Sequence, residues 1–464
     1  MTTLAIHRHR ATFALIPVLL TALVACGDNA GMTDPDAGPV ISNPPPRFTI
    51  TASNPAGTYN GIEYVEHECR FQGARPDGVE YDMNCWLIAP SSVADSTGVV
   101  LLDVFNSVNL EIFGELRVSF ARLGKDFLLD NGFMYAGIRW DKTAIAADKR
   151  QSPERTPDVI TPAAASKSIG YNILIDFSRA LRSDRDIAAV MGEVDTLISY
   201  GYSQSGAIQR RLLIENRGLF DGSLVGGAGA RFLAMESDII GDRNEFFFDR
   251  RAPSVGAGKI MQLDSESDLL VIESADTRTG PESTYRKYEI VGGSHIKQAV
   301  CQAVGLPDAA TANPLDWDPI SRALLLALRD WVVDDEDPPD ARLIDNVGII
   351  VRRDGNGNAL GGVRLPEVAA GRGQYVGFDI DHPLDEDECD LTQPRRCPDE
   401  FRRVCGTFVD TLCDNYSDLA DYVTAVTTAA DQLVTDRFLL TADRDAIVQA
   451  AQDLVDSTIC SARP

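Results

Sequence analysis

Short runs of apolar and β-branched residues alternate along this chain with segments whose apolar residues recur at helical spacing. The stretches GVVLLDVFN, VDTLISYG and GKIMQLD are of the first kind, and IGYNILIDFSRALRS and PLDWDPISRALLLALRDWVVD are of the second. Strands that are apolar throughout are buried on both faces, and a helix between two of them returns the chain for parallel pairing. The sequence therefore predicts an α/β fold, with a mostly parallel sheet and helices on both faces.

The charge balance narrows the classes of function. The 464 residues carry a formal net charge of −26, and 44% of them are hydrophobic, which is enough for a sizeable core. A nucleic-acid partner requires a basic face, and electrostatic attraction to anionic lipid requires basic clusters. The sequence therefore predicts no nucleic-acid partner.

The N-terminus has the pattern of an export signal. A basic stretch precedes an apolar run over residues 11–24, which is too short to span a bilayer comfortably. The ending LVAC resembles the bacterial lipoprotein signal, in which cleavage before the cysteine leaves Cys26 lipidated; a plain secretory peptide is the alternative. We expect residues 1–25 to be a signal peptide and residues 26–47 a tether. The mature chain would be lipid-anchored in the bacterial cell envelope, at the outer membrane or periplasmic face, or else secreted.

Eight cysteines remain when Cys26 is set aside, and an even number in an exported chain suggests disulfides. Four of them recur every eight residues and predict a local disulfide staple within a cysteine-containing segment, residues 380–415: Cys389, Cys397, Cys405 and Cys413. A zinc site is the alternative, although the spacing lacks the C-x-x-C pattern. The acidic residues between Asp379 and Asp390 indicate a solvated surface rather than a calcium loop.

Two serines, Ser203 and Ser205, lie between the strand-like TLISYG and the helical QSGAIQRRLL. A serine on a sharp strand-to-helix turn is typical of a hydrolytic nucleophile, and the turn needs small residues two positions before and after it. Both serines satisfy this condition. The strand ends at Gly201, however, and the nucleophile lies two residues beyond such a glycine. Ser203 is therefore the predicted nucleophile, and Ser205 stands where the usual motif has glycine.

A serine hydroxyl needs a base near pH 7, usually a histidine that a carboxylate orients. The expected chain order is serine, acid, histidine, which disfavours His67. Of the later histidines, His295 directly follows the strand-like KYEIV, whereas His382 lies in the acidic region, so His295 is the predicted base. We predict Asp268 as the acid because the apolar LLV behind it would fix its loop; Glu266 is the alternative.

The negative charge that develops on the substrate needs backbone N–H donors. The residue after the nucleophile, Gln204, would supply one, and the loop after VVLLDVF the other, through Asn106 or Ser107. Trp140 could line the pocket or belong to the core, and the polar residues 142–170 are expected to form a cap. This chemistry requires no metal or organic cofactor.

GYSQSG resembles the elbow of the bacterial α/β-hydrolase-domain proteins. Further segments are similar to that family in the same order, including GVEYDMNCWLIAP, LLDVFN, FLLDNGFMYAGIRWD, FDGSLVGGAGARF and DRFLLTADRDAIV. The resemblance implies an α/β-hydrolase fold for residues 48–464, with a C-terminal helical extension and with residues 380–415 as an insertion. It also implies Ser203 as nucleophile and His295 as base. The family usually carries glutamate near Asp268, which keeps Glu266 open as the acid.

These residues predict an exported, membrane-anchored serine hydrolase that cleaves a small-molecule or lipid-like carboxylic ester through an acyl-enzyme. The same three side chains would serve an amidase or a peptidase equally well. A catalytically silent surface lipoprotein that binds a ligand is the alternative from another class.

Overall fold

The computed structural model describes twelve stretches of the chain: residues 46–106, 117–140, 156–161, 169–215, 218–229, 231–233, 246–248, 258–271, 274–303, 312–347, 350–378 and 404–457. They belong to one compact unit, Asn43–Pro464. Several predictions fall outside the described residues: the signal peptide, Cys26, nearly all of the tether, Ser107, His382, most of the expected cap, the acidic run, and Cys389, Cys397 and Cys460.

The central feature is a ten-stranded mixed sheet. Its strands are β1 Arg47–Tyr59, β2 Ile62–Ala74, β3 Glu80–Pro90, β4 Val99–Val104, β5 Met134–Ile138, β6 Val159–Thr161, β7 Thr196–Tyr202, β8 Gly222–Gly226, β11 Lys259–Ser265 and β12 Tyr285–Ile290. They lie in the order β1-β2-β3-β5-β4-β7-β8-β11-β12, with β6 beside β3. Pairing is parallel from β5 to β12 and antiparallel among β1, β2, β3, β5 and β6. The predicted α/β sheet is confirmed, with an antiparallel extension at one edge.

Burial explains the two kinds of strand. β7 and β8 are buried at every position, which is why TLISYGY and GSLVG show no polar alternation. β1, at the antiparallel edge, is mostly exposed and carries polar residues throughout. Strands covered on both faces must be apolar throughout, whereas an edge strand can face water. Short two-stranded ladders join β9 Arg231–Leu233 to β10 Phe246–Phe248, β13 Asn346–Val347 to β14 Ile350–Val351, and β15 Gly373–Val376 to β16 Thr407–Asp410.

Helices cover both faces of the sheet. They are α1 Val118–Arg122, α2 Lys125–Asp130, α3 Ile169–Ser183, α4 Arg185–Met191, α5 Gln204–Glu215, α6 Glu266–Val271, α7 Gln298–Ala303, α8 Asp318–Asp334, α9 Pro366–Ala369, α10 Leu412–Asn415, α11 Leu419–Thr435 and α12 Thr441–Ser457. One hydrophobic cluster includes Phe177 of α3 and Leu212 of α5, and a second includes Leu324 and Trp331 of α8. These two clusters are the cores on the two sides of the sheet.

The C-terminal helices α11 and α12 pack against each other close to the predicted boundaries, residues 416–437 and 441–458. Arg322 of α8 forms an ion pair with Asp443 of α12, which ties this pair of helices to the main layer. None of the helices in the described ranges combines the length and apolarity needed to cross a bilayer.

Disulfides are present, as predicted, but one pairing differs from the expectation. Cys69 and Cys85 face each other on β2 and β3 and are bonded. Cys301 of α7 is bonded to Cys405, 104 residues away in sequence. Cys413 is also disulfide-bonded. The prediction of a local staple is therefore wrong for Cys405, because it packs in one hydrophobic cluster with Val300 and Cys301 of α7.

Candidate active site

Ser203 occupies the tight turn between β7 and α5. Its φ of 57° lies in the left-handed region, which costs a non-glycine residue about 1–3 kcal/mol and persists only where the surroundings enforce it. The Ser203 N–H donates to the Gly226 carbonyl at 2.9 Å, and the Ser203 carbonyl accepts from the Ala207 N–H at 2.9 Å. The strand on one side and the helix on the other thus hold the strained residue in place.

Small residues around the turn are required by close backbone contacts. A Cβ on Gly201 would lie 2.7 Å from the Ser205 carbonyl oxygen, and one on Gly206 would lie 2.7 Å from the Gly226 carbonyl oxygen. The fully buried Ser205 points its hydroxyl back into the turn, where it accepts from the Tyr202 N–H at 3.0 Å and donates to the Tyr202 carbonyl at 3.1 Å. The two serines therefore differ in environment: Ser205 closes the turn.

The Ser203 side chain lies in a series of hydrogen bonds. Its Oγ is 2.8 Å from Nε2 of His295, and Nδ1 of His295 is 2.6 Å from Oδ1 of Asp268. The other carboxylate oxygen of Asp268 accepts from the N–H and the hydroxyl of Ser265, both at 2.7 Å. Asp268 is fully buried and His295 is 16% exposed. The three predicted residues follow the carboxyl ends of β7, β11 and β12. These strands are parallel, so their carboxyl ends lie on the same side of the molecule.

This arrangement can move a proton. With the Nδ1 proton donated to Asp268, Nε2 is the acceptor that faces the serine hydroxyl. A hydroxyl within 2.6–3.2 Å of an oriented imidazole is the geometry that general-base activation of a serine requires. Across the described residues, no group of three or more His, Cys, Asp or Glu side chains is placed to hold a metal ion.

Glu266, the alternative acid, lies two residues from Asp268 but its carboxylate has other partners. Oε1 accepts from the Arg353 guanidinium at 2.7 Å, and Oε2 accepts from the backbone N–H of Gly292 at 2.9 Å. The side chain is only 1% exposed. In this structure, therefore, Asp268 faces the imidazole, and Glu266 holds the backbone of the loop that carries it.

The predicted donors for negative charge lie beside Ser203. Gln204 is the first residue of α5, so its N–H lies at the positive end of the helix dipole. The Asn106 side chain follows β4 and donates to the Tyr202 carbonyl at 2.8 Å, which places Asn106 against the residue before Ser203. Trp140 is 6% exposed, belongs to a hydrophobic cluster and donates its indole N–H to the Phe105 carbonyl at 2.9 Å. These contacts favour a core role for Trp140.

His67 lies on β2, where Nδ1 is 2.8 Å from the Ser53 hydroxyl. Partial burial lowers the pKa of His67 below its ordinary value. Its hydrogen-bond partner is a residue of the antiparallel edge and not of the serine turn.

The sequence reasoning missed the side chains that hold the His295 loop. The Tyr202 hydroxyl donates to the His295 carbonyl at 2.5 Å, and the Trp317 indole N–H donates to the Ser294 carbonyl at 3.1 Å. The Arg122 guanidinium lies against both aromatic rings. Nothing in the spacing of these residues indicates that they meet, because they lie on α1, at the end of β7 and before α8.

A family model described as alpha/beta hydrolase domain matches residues 52–449. No curated protein sequence matches the chain.

The chain is similar to a CE15 glucuronoyl esterase from Teredinibacter turnerae T7901, at 15% identity and a TM-score of 0.27 over 40% of this chain and 46% of that chain. It is also similar to MGS-M1, an alpha/beta hydrolase from a Medee basin deep-sea metagenome library, at 13% identity and a TM-score of 0.31 over 55% of this chain and 93% of that chain. A third similar structure is acetyl xylan esterase 1 from Thermoanaerobacterium sp. JW/SL YS485, at 11% identity and a TM-score of 0.30 over 53% of this chain and 81% of that chain. The chain thus spans less than half the length of the glucuronoyl esterase.

Proposed function

Because the chain belongs to the alpha/beta hydrolase domain family, we propose that it is a serine hydrolase that cleaves a carboxylic ester through an acyl-enzyme. The observation that carries this proposal is the hydrogen-bonded series from Ser203 through His295 to Asp268, on a left-handed turn between β7 and α5. Strain of this kind at a residue that faces an imidazole is typical of a functional site.

In the first half of the reaction, Ser203 Oγ attacks the ester carbonyl carbon while His295 Nε2 takes the hydroxyl proton. Asp268 stabilises the resulting imidazolium through Nδ1. The backbone N–H groups of Gln204 and Asn106 would bind the oxygen that gains the negative charge. The tetrahedral intermediate then collapses, the bond to the alcohol oxygen breaks, and His295 returns its proton to the departing alkoxide.

In the second half, water replaces the alcohol. His295 takes a proton from the water as its oxygen attacks the acyl carbon of the Ser203 ester. The second tetrahedral intermediate releases Ser203 Oγ, which recovers the proton from His295, and the carboxylic acid leaves. The cycle consumes one water and restores the enzyme.

The same three side chains would serve an amide, and we propose the ester because it is the less demanding substrate. An alkoxide is a better leaving group than an amine anion, so it departs with less complete proton transfer from His295. An amide needs more complete proton transfer and a larger contribution from the donors around Gln204. Comparing p-nitrophenyl acetate with p-nitroacetanilide would separate the two classes, and faster hydrolysis of the anilide would contradict the ester assignment.

We also propose that Cys26 is lipidated and anchors the protein in the bacterial cell envelope. Cys26 lies outside the described residues, and the support comes from the LVAC ending and from the disulfides Cys69–Cys85 and Cys301–Cys405, which suit an oxidising compartment. Cys26→Ser should abolish incorporation of a labelled fatty acid into the protein. Unchanged incorporation would contradict the anchor.

The test of the hydrolase uses a soluble form that begins near residue 40. It measures hydrolysis of p-nitrophenyl esters from acetate to palmitate, together with labelling by a fluorophosphonate that reacts with activated serines. Ser203→Ala should abolish both, whereas Ser205→Ala should keep the label because the nucleophile is intact. Ser183→Ala, at the exposed end of α3, is the control for the effect of removing a serine hydroxyl outside the site, and it should keep both activity and label. Equal labelling of Ser203→Ala and the parent would rule out this nucleophile.

A further inference from the structure

A buried arginine lies behind the loop that carries His295. Arg122, the last residue of α1, is 7% exposed. Its guanidinium carbon is 3.8 Å from the centre of the Tyr202 ring and 4.2 Å from the centre of the Trp317 ring. Its Nη2 is 2.7 Å from Oδ1 of Asp318, the first residue of α8. Two aromatic rings and one carboxylate thus surround a single cation.

The polar ends of the same two rings hold the His295 loop. The Tyr202 hydroxyl donates to the carbonyl of His295, and the Trp317 indole N–H donates to the carbonyl of Ser294. The Tyr202 ring is also stacked on the imidazole, with centres 5.3 Å apart and planes 24° apart. Two successive peptide groups of the loop are therefore fixed by the rings that contact Arg122.

The ion pair extends to the other side of His295. Asp318 Oδ2 accepts from the Lys297 ammonium, two residues after His295, and Asp316 is 3.2 Å from the same ammonium. Burial would lower the pKa of Arg122, but the adjacent Asp318 carboxylate raises it above its usual value, so the guanidinium stays charged. A charge buried in this way is costly to leave unpaired, which favours the complete arrangement over a partly broken one.

We propose that Arg122 is a positioning residue for His295. Its guanidinium fixes the Tyr202 and Trp317 rings, and through them the peptide groups that set the imidazole 2.8 Å from Ser203 Oγ. A planar guanidinium can stack on two rings and pair with a carboxylate at once, whereas a lysine ammonium is a point charge that cannot. This inference rests on the proposed function, in which His295 is the base.

The test compares Arg122→Met with Arg322→Met. The control removes Arg322, which lies on the same helix as Asp318 but forms its ion pair with Asp443 on α12. We expect Arg122→Met to lower kcat about 10²-fold with KM unchanged, because a small misplacement of the base has an effect of that order. Arg322→Met should keep the kcat of the parent. Arg122→Lys, which restores charge without the stacking plane, should recover only part of the lost kcat.

Tyr202→Phe keeps the test open if Arg122→Met does not fold. It preserves the stacked ring and removes only the hydroxyl that donates to the His295 carbonyl, so we expect a kcat about tenfold lower and a native melting profile. The proposal would be overturned if kcat were unchanged in every one of Arg122→Met and Tyr202→Phe that folds, or if Arg122→Lys recovered the full kcat.

A second measurement separates this inference from the hydrolase itself. The proton between His295 Nδ1 and Asp268 Oδ1 should give a far-downfield proton NMR resonance, which His295→Gln would remove and so assign. Arg122→Met should broaden or shift that resonance, and Arg322→Met should not. If the parent cleaves no ester and takes no fluorophosphonate, the hydrolase proposal fails. The resonance then decides the positioning inference without any activity, and an unaltered resonance in Arg122→Met would overturn it.

Discussion

The turn that carries Ser203 and the loop that carries His295 are held in different ways. In the turn, the Ser205 hydroxyl bonds to Tyr202, and the Ala207 N–H bonds to the Ser203 carbonyl. Most of these contacts join residues within four positions of each other, and two reach further: the bond from the Ser203 N–H to the Gly226 carbonyl and the bond from the Asn106 amide to the Tyr202 carbonyl. The turn is therefore specified largely by its own short stretch of sequence.

The His295 loop depends on distant residues. Its backbone is bonded at Gly292 by Glu266, at Ser294 by Trp317, at His295 by Tyr202 and at Ile296 by the Val404 carbonyl. These partners come from before and after the loop, with Tyr202 93 and Val404 108 positions away. The nucleophile's position therefore depends mainly on neighbouring residues, whereas the base's position depends on the assembled fold.

The largest expected effect separates the two buried carboxylates near the loop. Asp268→Asn should lower kcat about 10⁴-fold, because the amide no longer selects the imidazole tautomer that accepts the Ser203 proton. Glu266→Gln should instead lower the free energy of unfolding by about 1–3 kcal/mol through weaker bonds to Arg353 and Gly292, with less than a tenfold loss of kcat.

The measurements for this pair are kcat on one p-nitrophenyl ester and urea unfolding of each variant. If Glu266→Gln lost as much kcat as Asp268→Asn at equal stability, the assignment of the acid would be reversed. Glu266, and not Asp268, would then be the carboxylate that orients His295.

The contrast also explains how much could be read from the sequence. Periodicity is local, so the helix 169–183 and the strands around Gly201 and Lys259 were predictable. Chain order and its place directly after the strand-like KYEIV predict His295 as the base, and the structure brings Ser203, His295 and Asp268 within hydrogen-bond distance. Their catalytic roles remain predictions.

The features that sequence reasoning missed depend on long-range packing. Cys405 is one of four cysteines spaced every eight residues, yet its partner is Cys301, because Cys405 packs in a small hydrophobic cluster with Val300 and Cys301 of α7. Arg122 and Trp317 carry no motif and meet only after α1 and α8 have packed on the sheet. Asp268 and Glu266 are two residues apart at the start of α6, and their carboxylates have different partners, His295 for the first and Arg353 with Gly292 for the second.

A second prediction tests the local character of the turn. In Gly206→Ala the added Cβ would lie 2.7 Å from the Gly226 carbonyl oxygen, which also accepts from the Ser203 N–H. Because backbone has to shift, we expect about a 10²-fold loss of kcat and a loss of about 1–3 kcal/mol in unfolding free energy. Gly355→Ala is the control, since its Cβ would meet nothing within 4 Å. Parent-like kcat in Gly206→Ala would show that the turn tolerates displacement.

A third prediction tests the dependence of the loop on distant residues. Replacing Cys301 and Cys405 with serine should lower kcat about tenfold, equivalent to about 1.4 kcal/mol, because the Ile296 N–H bonds to Val404 beside Cys405. Replacing Cys69 and Cys85, which join β2 and β3 in the antiparallel part of the sheet, should leave kcat unchanged.

Both disulfide variants should be less stable, and the first more so. In the chain-entropy model a loop of about 100 residues contributes about 4.7 kcal/mol and one of about 15 residues about 3 kcal/mol. The sequence separations here are 104 and 16. Measuring kcat well below both melting temperatures keeps stability out of the comparison. If the Cys69 and Cys85 variant lost as much kcat as the Cys301 and Cys405 variant, the disulfide near the His295 loop would have no special effect on the position of the base.

The smallest expected effect concerns the strain stored at the nucleophile. Ser203→Gly and Ser203→Ala both lack the hydroxyl, so they differ only in how well they adopt a φ of 57°. Glycine accepts this conformation freely, whereas alanine has a Cβ that clashes there, so the glycine variant should be about 1 kcal/mol more stable in urea unfolding. At the exposed helical position Thr428 the same pair should differ by about 1 kcal/mol in the opposite sense, because glycine weakens a helix interior. If Ser203→Gly were no more stable than Ser203→Ala, the turn would hold its nucleophile without strain, and the local contacts around Ser203 would be weaker constraints than those around His295.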